Sequence, residues 1–257
     1  MDKYEWFKKQ VYYLIGIDLS SYKEKQMKRR IQSLLSRNKY KDFGDYLEGL
    51  KKNSVLLDEF INYLTINVSE FFRNPMQWEV LEKEILPELI KNNKKLNIWS
   101  SACSTGEEPY TLVMLLSRYF NLKDIRILAT DIDLGAIEKA KAGIYNEKSL
   151  QNVPNDLRIK YFEKVGNSYK IHRSIKDCVQ FKRIDLLQDK YPNNCDLILC
   201  RNVLIYFTED AKVKIYNNFH DSLSNYGVLF VGSTEQIIMP EKYNLKSART
   251  FFYKRSI

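Results

Sequence analysis

A run of small residues closing on paired acids, Ser101-Ala102-Cys103-Ser104-Thr105-Gly106-Glu107-Glu108-Pro109, lies between the apolar segments 96–100 and 110–120. A strand, a small-residue turn and a helix start make a ligand site at the carboxyl end of a parallel strand, where backbone N–H groups are free. The turn holds one glycine, Gly106, rather than G-x-G-x-x-G, and the two acids after it repel a pyrophosphate. A dinucleotide is therefore disfavoured. A ligand with an ammonium group and a ribose suits Glu107, and S-adenosylmethionine has both. Glu108 reads more simply, as an acid favoured by the positive end of a helix. Three further segments bring polar groups to the same edge. Asp131 stands about 25 residues beyond Gly106, where an acid commonly binds a ribose diol, while Asp133 reads as a helix cap. Asp185 and Leu186 end another apolar run and offer an acceptor and an apolar face to an adenine. Arg201 and Asn202 follow the run 196–200.

Other chemistries find little support. The four cysteines (Cys103, Cys178, Cys195, Cys200) and two histidines (His172, His220) form no CxxC and no paired-His spacing, so no metal site is expected. Neither a Ser-His-Asp nor a Cys-His nucleophile is supported by spacing. Carboxylates, Arg, Tyr and a borrowed cofactor are left to do the work.

The elements that must position these groups follow from hydrophobic patterning. From residue 96 onward, short apolar runs (96–100, 125–131, 179–184, 196–200, 228–232 and 251–254) alternate with amphipathic helical stretches, which predicts a doubly wound, mostly parallel α/β sheet. Alternation in 169–184 predicts a small antiparallel β-subdomain inserted near 165–183. Before residue 70 the pattern is helical; Met27, Ile31, Leu34 and Leu35 fall on one face. The expected organisation is a helical domain over 1–70, a linker with a connecting helix over 71–95, and an α/β domain over 96–257.

Charge is concentrated in the helical part. Between Lys23 and Lys41 eight basic residues face one acid, Glu24, an excess of seven out of the chain's +9. Lys23, Lys28, Arg29, Arg30 and Arg37 are a candidate surface for an acidic partner, against the plainer reading of a solvated helix face. The start, Met1-Asp2-Lys3-Tyr4-Glu5-Trp6, carries acids where a signal peptide is basic, and no apolar run approaches the roughly 20 residues of a membrane span. A cytoplasmic protein without membrane insertion is expected.

The chain resembles the CheR-type chemotaxis receptor methyltransferases. The resemblance runs through Ile66-Asn67-Val68-Ser69-Glu70-Phe71-Phe72-Arg73, the segment Trp99–Tyr110, Ala129-Thr130-Asp131-Ile132-Asp133 and Cys200-Arg201-Asn202-Val203-Leu204-Ile205-Tyr206-Phe207. It implies a helical N-terminal domain and a seven-stranded methyltransferase sheet with a small β-subdomain. It implies that S-adenosylmethionine is held by Asn67, Ser69, Arg73, Glu107, Asp131, Asp185, Leu186, Arg201 and Asn202. Arg73 and Tyr206 match positions beside the transferred methyl. The implied partners are the cytoplasmic methylation helices of methyl-accepting chemotaxis receptors. Members often have Thr at Ser69 and Asn at Asp185, and the turn at Gly166-Asn167-Ser168 is short beside members that dock on a receptor-tail peptide.

Methylation of a glutamate γ-carboxylate needs no general base, because an acid with a reference pKa near 4.3 is ionised at neutral pH. Charge is annihilated towards the transition state, so positioning and water exclusion are the enzyme's main tasks. Two alternatives remain: a nucleic-acid methyltransferase using the basic helix on phosphates, and a silent receptor-binding adaptor of the same fold. Arg201-Asn202-Val203 stands where amino-group methylases carry an Asn/Asp-Pro-Pro-aromatic motif. No nucleic acid is expected as partner.

Overall fold

The computed structural model describes residues 2–93 and 95–256. They divide into two compact units, one comprising 1–67 with 204–214, the other 68–203 with 215–257.

The first unit is helical, and its ends are set by capping residues. Asp2 accepts from the Tyr4 N–H at the start of helix Lys3–Ile15, and Gly16 ends it at φ 75°. Asp42 and Asn53 cap Phe43–Lys52 and Ser54–Thr65 in the same way. Helix Glu24–Arg37 buries Met27, Ile31, Leu34 and Leu35, as the periodicity predicts. Each such side chain contributes about 1.5–3 kcal/mol on burial. Phe7 sits at the centre, with Phe43, Tyr46 and Phe60 rings within 5.0–6.4 Å. The late segment joins this unit through an isolated bridge between Tyr22 and Phe207, and the Lys23 N–H donates to the Tyr206 carbonyl at 2.9 Å.

The second unit holds strands β1 (Ile98–Ser100), β2 (Ile127–Asp131), β3 (Ile144–Asn146), β4 (Phe162–Val165), β5 (Ser168–Ile171), β6 (Val179–Arg183), β7 (Cys195–Cys200), β8 (Leu223–Val231), β9 (Leu245–Arg249) and β10 (Phe252–Arg255). Among the described residues, seven of them form one sheet in the order β6-β2-β1-β7-β8-β10-β9. Strands β6, β2, β1, β7 and β8 run parallel; β10 is antiparallel to both neighbours. The order reverses between β1 and β7, which creates a crevice beyond their carboxyl ends, the usual ligand position in such sheets.

Three expectations change. Strand β9 was not foreseen, since Leu245–Arg249 has one buried apolar residue in a largely exposed pattern. The small sheet, in the order β3-β5-β4, begins upstream of the expected 165–183: Ser168–Ile171 falls inside that range, 144–146 and 162–165 are added to it, and Val179–Arg183 pairs with β2 in the main sheet instead. The stretch 71–95, expected as a linker with a connecting helix, carries helices Pro75–Val80 and Leu86–Asn92, and its Phe71, Phe72, Trp78, Leu81, Ile85, Leu86 and Leu89 pack into the second unit's core.

Candidate active site

At the end of β1 the chain turns through Ser104 (φ 47°) and Gly106 (φ 92°) into helix Glu107–Leu116. Only glycine fits at 106. A Cβ there would stand 2.8 Å from that of Ala140 and 3.2 Å from the Tyr145 hydroxyl, besides adopting a left-handed backbone. Glu107 is buried, and its Oε2 accepts from the Thr105 hydroxyl at 2.6 Å. Burial pushes its carboxyl above the usual range, against hydrogen bonds from Thr105, its own backbone and the Ser69 hydroxyl. Ser69, singled out only through the family resemblance, and Glu107, singled out by the turn, are thus brought together.

Asp131 ends β2. Its two oxygens accept from the Ser104 N–H at 2.8 Å and the Asp133 N–H at 3.0 Å, which ties the β1 turn to the β2 turn. Burial pushes it up to about 6, partly offset by those backbone donors. Asp133 caps helix Leu134–Ala142 through the Ala136 N–H. Beyond β6, Asp185 is turned onto its own loop: its oxygens accept from the Leu187 N–H at 2.8 Å and the Gln188 amide at 2.7 Å. The expected adenine acceptor is thus also a turn former, because an Asx carboxylate reaches the N–H two residues on with little loss of freedom. Leu186 is buried beside it, its carbonyl accepting from the Tyr191 hydroxyl at 2.6 Å.

Arg201, at the end of β7, is only 6% exposed. One terminal nitrogen lies 3.6 Å from Glu108 Oε2; the other donates to the Arg73 carbonyl at 2.8 Å and Gln77 Oε1 at 2.9 Å. Its guanidinium carbon lies 5.2 Å from the centroid of the Trp78 ring and 4.7 Å from that of the Phe230 ring. Burial depresses its pKa, and Glu108 and Glu235 oppose that. Glu108 stands in the first turn of its helix, as read from the sequence, and besides accepting from the Ser100 hydroxyl at 2.8 Å it is a buried ion-pair partner of Arg201. Arg201 clamps the 73–78 turn to the strand end, and that turn itself bends through Phe72 (φ 52°) and Asn74 (φ 61°). Arg73 is half-buried, donating to the Val68 carbonyl at 3.0 Å.

Asn67 and Tyr206 belong to the first unit. The Asn67 amide donates to the Thr65 hydroxyl at 3.1 Å. The basic face splits by environment. Arg30 bonds the Tyr63 carbonyl, and Arg37 pairs with Glu59; both guanidiniums lie over the Tyr63 ring. Lys28 approaches Asp2 at 3.7 Å. Lys23, Lys25 and Arg29 are exposed and enter no ion pair among the described residues.

Sequence reasoning passed over Glu235, which is buried and bonded to the strand ends, and Gln77 beneath Arg201. The signal for Glu235 was available: an acid just past an apolar strand, as at Asp131. Gln77 carries no such mark.

A family model for the CheR methyltransferase SAM-binding domain matches residues 67–252, and one for the CheR methyltransferase all-alpha domain matches residues 2–65. The chain belongs to the CheR methyltransferase family. It is 45% identical over 251 residues to a chemotaxis protein methyltransferase of Listeria monocytogenes, covering 97% of this chain and 96% of that one. A chemotaxis protein methyltransferase of Borreliella burgdorferi is 36% identical over 256 residues, with 91% and 90% covered. Chemotaxis protein methyltransferase 2 of Vibrio cholerae is 32% identical over 242 residues, with 90% and 84% covered. As a CheR methyltransferase the protein is S-adenosylmethionine-dependent, with S-adenosylhomocysteine as product. The donor set at the crevice fits that cofactor. Asp131 and Glu107 are buried acceptors at the strand ends, of a kind that hydroxyl and ammonium groups require. No described helix is long and apolar enough to cross a membrane.

Proposed function

We propose that this methyltransferase esterifies glutamate γ-carboxylates on the cytoplasmic methylation helices of chemotaxis receptors. The relatives, chemotaxis protein methyltransferases, supply the chemotaxis setting. The carrying observation is the crevice beyond β1 and β7, where the buried acceptors Glu107 and Asp131 stand at successive strand ends. Burial pushes Cys103 and Cys200 well above the usual thiol range, so neither is favoured as an ionised nucleophile. When bound, S-adenosylmethionine supplies an electrophilic methyl on a sulfonium. In this reading Asp131 and Glu107 hold the cofactor's hydroxyl and ammonium groups, with Asn67, Ser69, Asp185, Leu186, Arg201 and Asn202 as further contacts. Arg73 and Tyr206 orient the reacting groups and move no proton. A tight Arg73 ion pair with the substrate would favour the ground state, so a lighter contact is preferred.

With methyl-labelled cofactor and receptor, the label should be released by mild alkali as volatile methanol. Label that survives alkali, or that follows RNA or DNA, overturns the reading.

The exposed cations Lys23 and Arg29 are the part of the basic face open to an acidic receptor helix. Reversing both to Glu should raise the KM for receptor several-fold at low salt and flatten its salt dependence, with kcat little changed. Reversing Arg30 or Arg37 should instead lower the melting temperature, because each is bonded within its own unit. Equal KM at every salt concentration would make Lys23 and Arg29 a solvated face.

A further inference from the structure

We propose that Glu235, just beyond β8, is a positioning residue for the cofactor: its carboxylate holds the end of β7 in the left-handed turn that presents Asn202. This rests on the reading that Arg201 and Asn202 belong to the cofactor site.

Glu235 is 5% exposed. Its Oε2 accepts the Asn202 N–H and, at 2.9 Å, the Gly232 N–H, while the Glu235 N–H donates back to the Gly232 carbonyl at 3.0 Å. One oxygen thus joins the carboxyl ends of β7 and β8, on the side of the β1–β7 crevice that carries Arg201. Asn202 has φ 59°, a conformation that costs free energy in a non-glycine residue and persists where the surroundings enforce it. The bond to a buried carboxylate supplies that constraint. Gly232 makes it possible: a Cβ there would stand 2.4 Å from Glu235 Oε2, 2.9 Å from the Asn202 nitrogen and 3.1 Å from the Asn202 amide nitrogen. A methyl at 232 must expel the carboxylate, the Asn202 backbone or both. Glu235 also acts electrostatically on Arg201, whose charge it shares with Glu108. These bonds run to backbone N–H groups, so Glu235 acts through Asn202.

The test is calorimetric titration of the full chain with S-adenosylhomocysteine, alongside thermal melting. Glu235→Asp keeps the charge but shortens the reach by one carbon–carbon bond, and should weaken binding by about tenfold or more through the lost reach to the Asn202 N–H. Glu235→Gln keeps an oxygen at full reach and should bind within about threefold of the parent. Gly232→Ala should reproduce the loss of Glu235→Asp, and the two together should be no worse than the weaker single variant, since they break one contact. Should Glu235→Asp fail to fold, Gly232→Ala and Glu235→Gln carry the test. Parental affinity in folded Glu235→Asp and Gly232→Ala, at whatever melting temperature, overturns the proposal and leaves Glu235 a stabilising residue. Glu235→Gln as weak as Glu235→Asp also overturns it, by making charge rather than reach the operative feature. A parent that fails to bind S-adenosylhomocysteine sinks instead the reading on which the proposal rests.

Discussion

Replacing Arg201 by Met is expected to lower the free energy of unfolding by about 3–5 kcal/mol, the usual consequence of removing one partner of a buried ion pair. Glu108 would be left with the Ser100 hydroxyl, and the Arg73 carbonyl and Gln77 Oε1 would lose their donor. Met has nearly the stem of Arg and packs against Trp78 and Phe230, so the loss reports the charge and hydrogen bonds more than a cavity. Urea unfolding at neutral pH measures it. Stability should then rise as pH is lowered, because burial already raises the Glu108 pKa and the variant loses the cation that opposes this. A carboxyl that holds its proton more tightly folded than unfolded stabilises the fold as pH falls. Adding Glu108→Gln should restore a large part of the loss, and a loss under about 1 kcal/mol in the single variant would show that the pair is not the clamp described.

Asp131→Ala should weaken binding of S-adenosylhomocysteine by about 1–3 kcal/mol, roughly 5- to 150-fold. The carboxylate has two tasks that no neutral residue performs together. It accepts from the Ser104 and Asp133 N–H groups, one on each oxygen, and retains lone pairs for ribose hydroxyls. Asn would present an amide NH₂ to one of those N–H donors, so it is no conservative replacement. The pH dependence has a definite sign. Burial raises the group from 3.8 to about 6, so between those values the folded chain holds a proton that the unfolded chain has lost. Ionising Asp131 therefore costs stability as pH rises through that window. Affinity runs the other way. Only the carboxylate can accept from both N–H groups and, in the proposed role, from the ribose hydroxyls as well, so affinity should fall as pH drops below about 6, and Asp131→Ala should flatten much of that fall. Glu107 and Glu108, also raised by burial, account for what remains. Titrations from about pH 5 to 7.5 test this against the parent. Unchanged affinity with a lowered melting temperature would make Asp131 a purely structural tie between turns.

Local pattern was enough to find the strand ends and most of what stands on them. Apolar runs bounded by turn residues put Glu107 after β1, Asp131 at the end of β2 and Arg201 after β7, and the Met27, Ile31, Leu34 stripe marked the buried face of its helix. Asp133 was legible as a cap because capping is decided within three residues. Strand β9 was not, since its residues are mostly exposed and carry no apolar alternation.

What the amino-acid order determined by itself was the parallel sheet, the edge at which its ligand binds and the residue types delivered there, because propensity, periodicity and turn chemistry act over a few residues. Only the tertiary structure decided what those residues do. Arg201 meets Gln77 across 124 positions, and whether its charge is spent on Glu108 or left for a ligand depends on burial, which no local pattern encodes. The same holds for Arg30 and Arg37, indistinguishable in sequence from Arg29 until Tyr63 and Glu59 are brought beside them. Glu235 gains its bond to Asn202 only because parallel β7 and β8 end side by side. A charge's role is set by its partners and its desolvation, and both are properties of the folded chain.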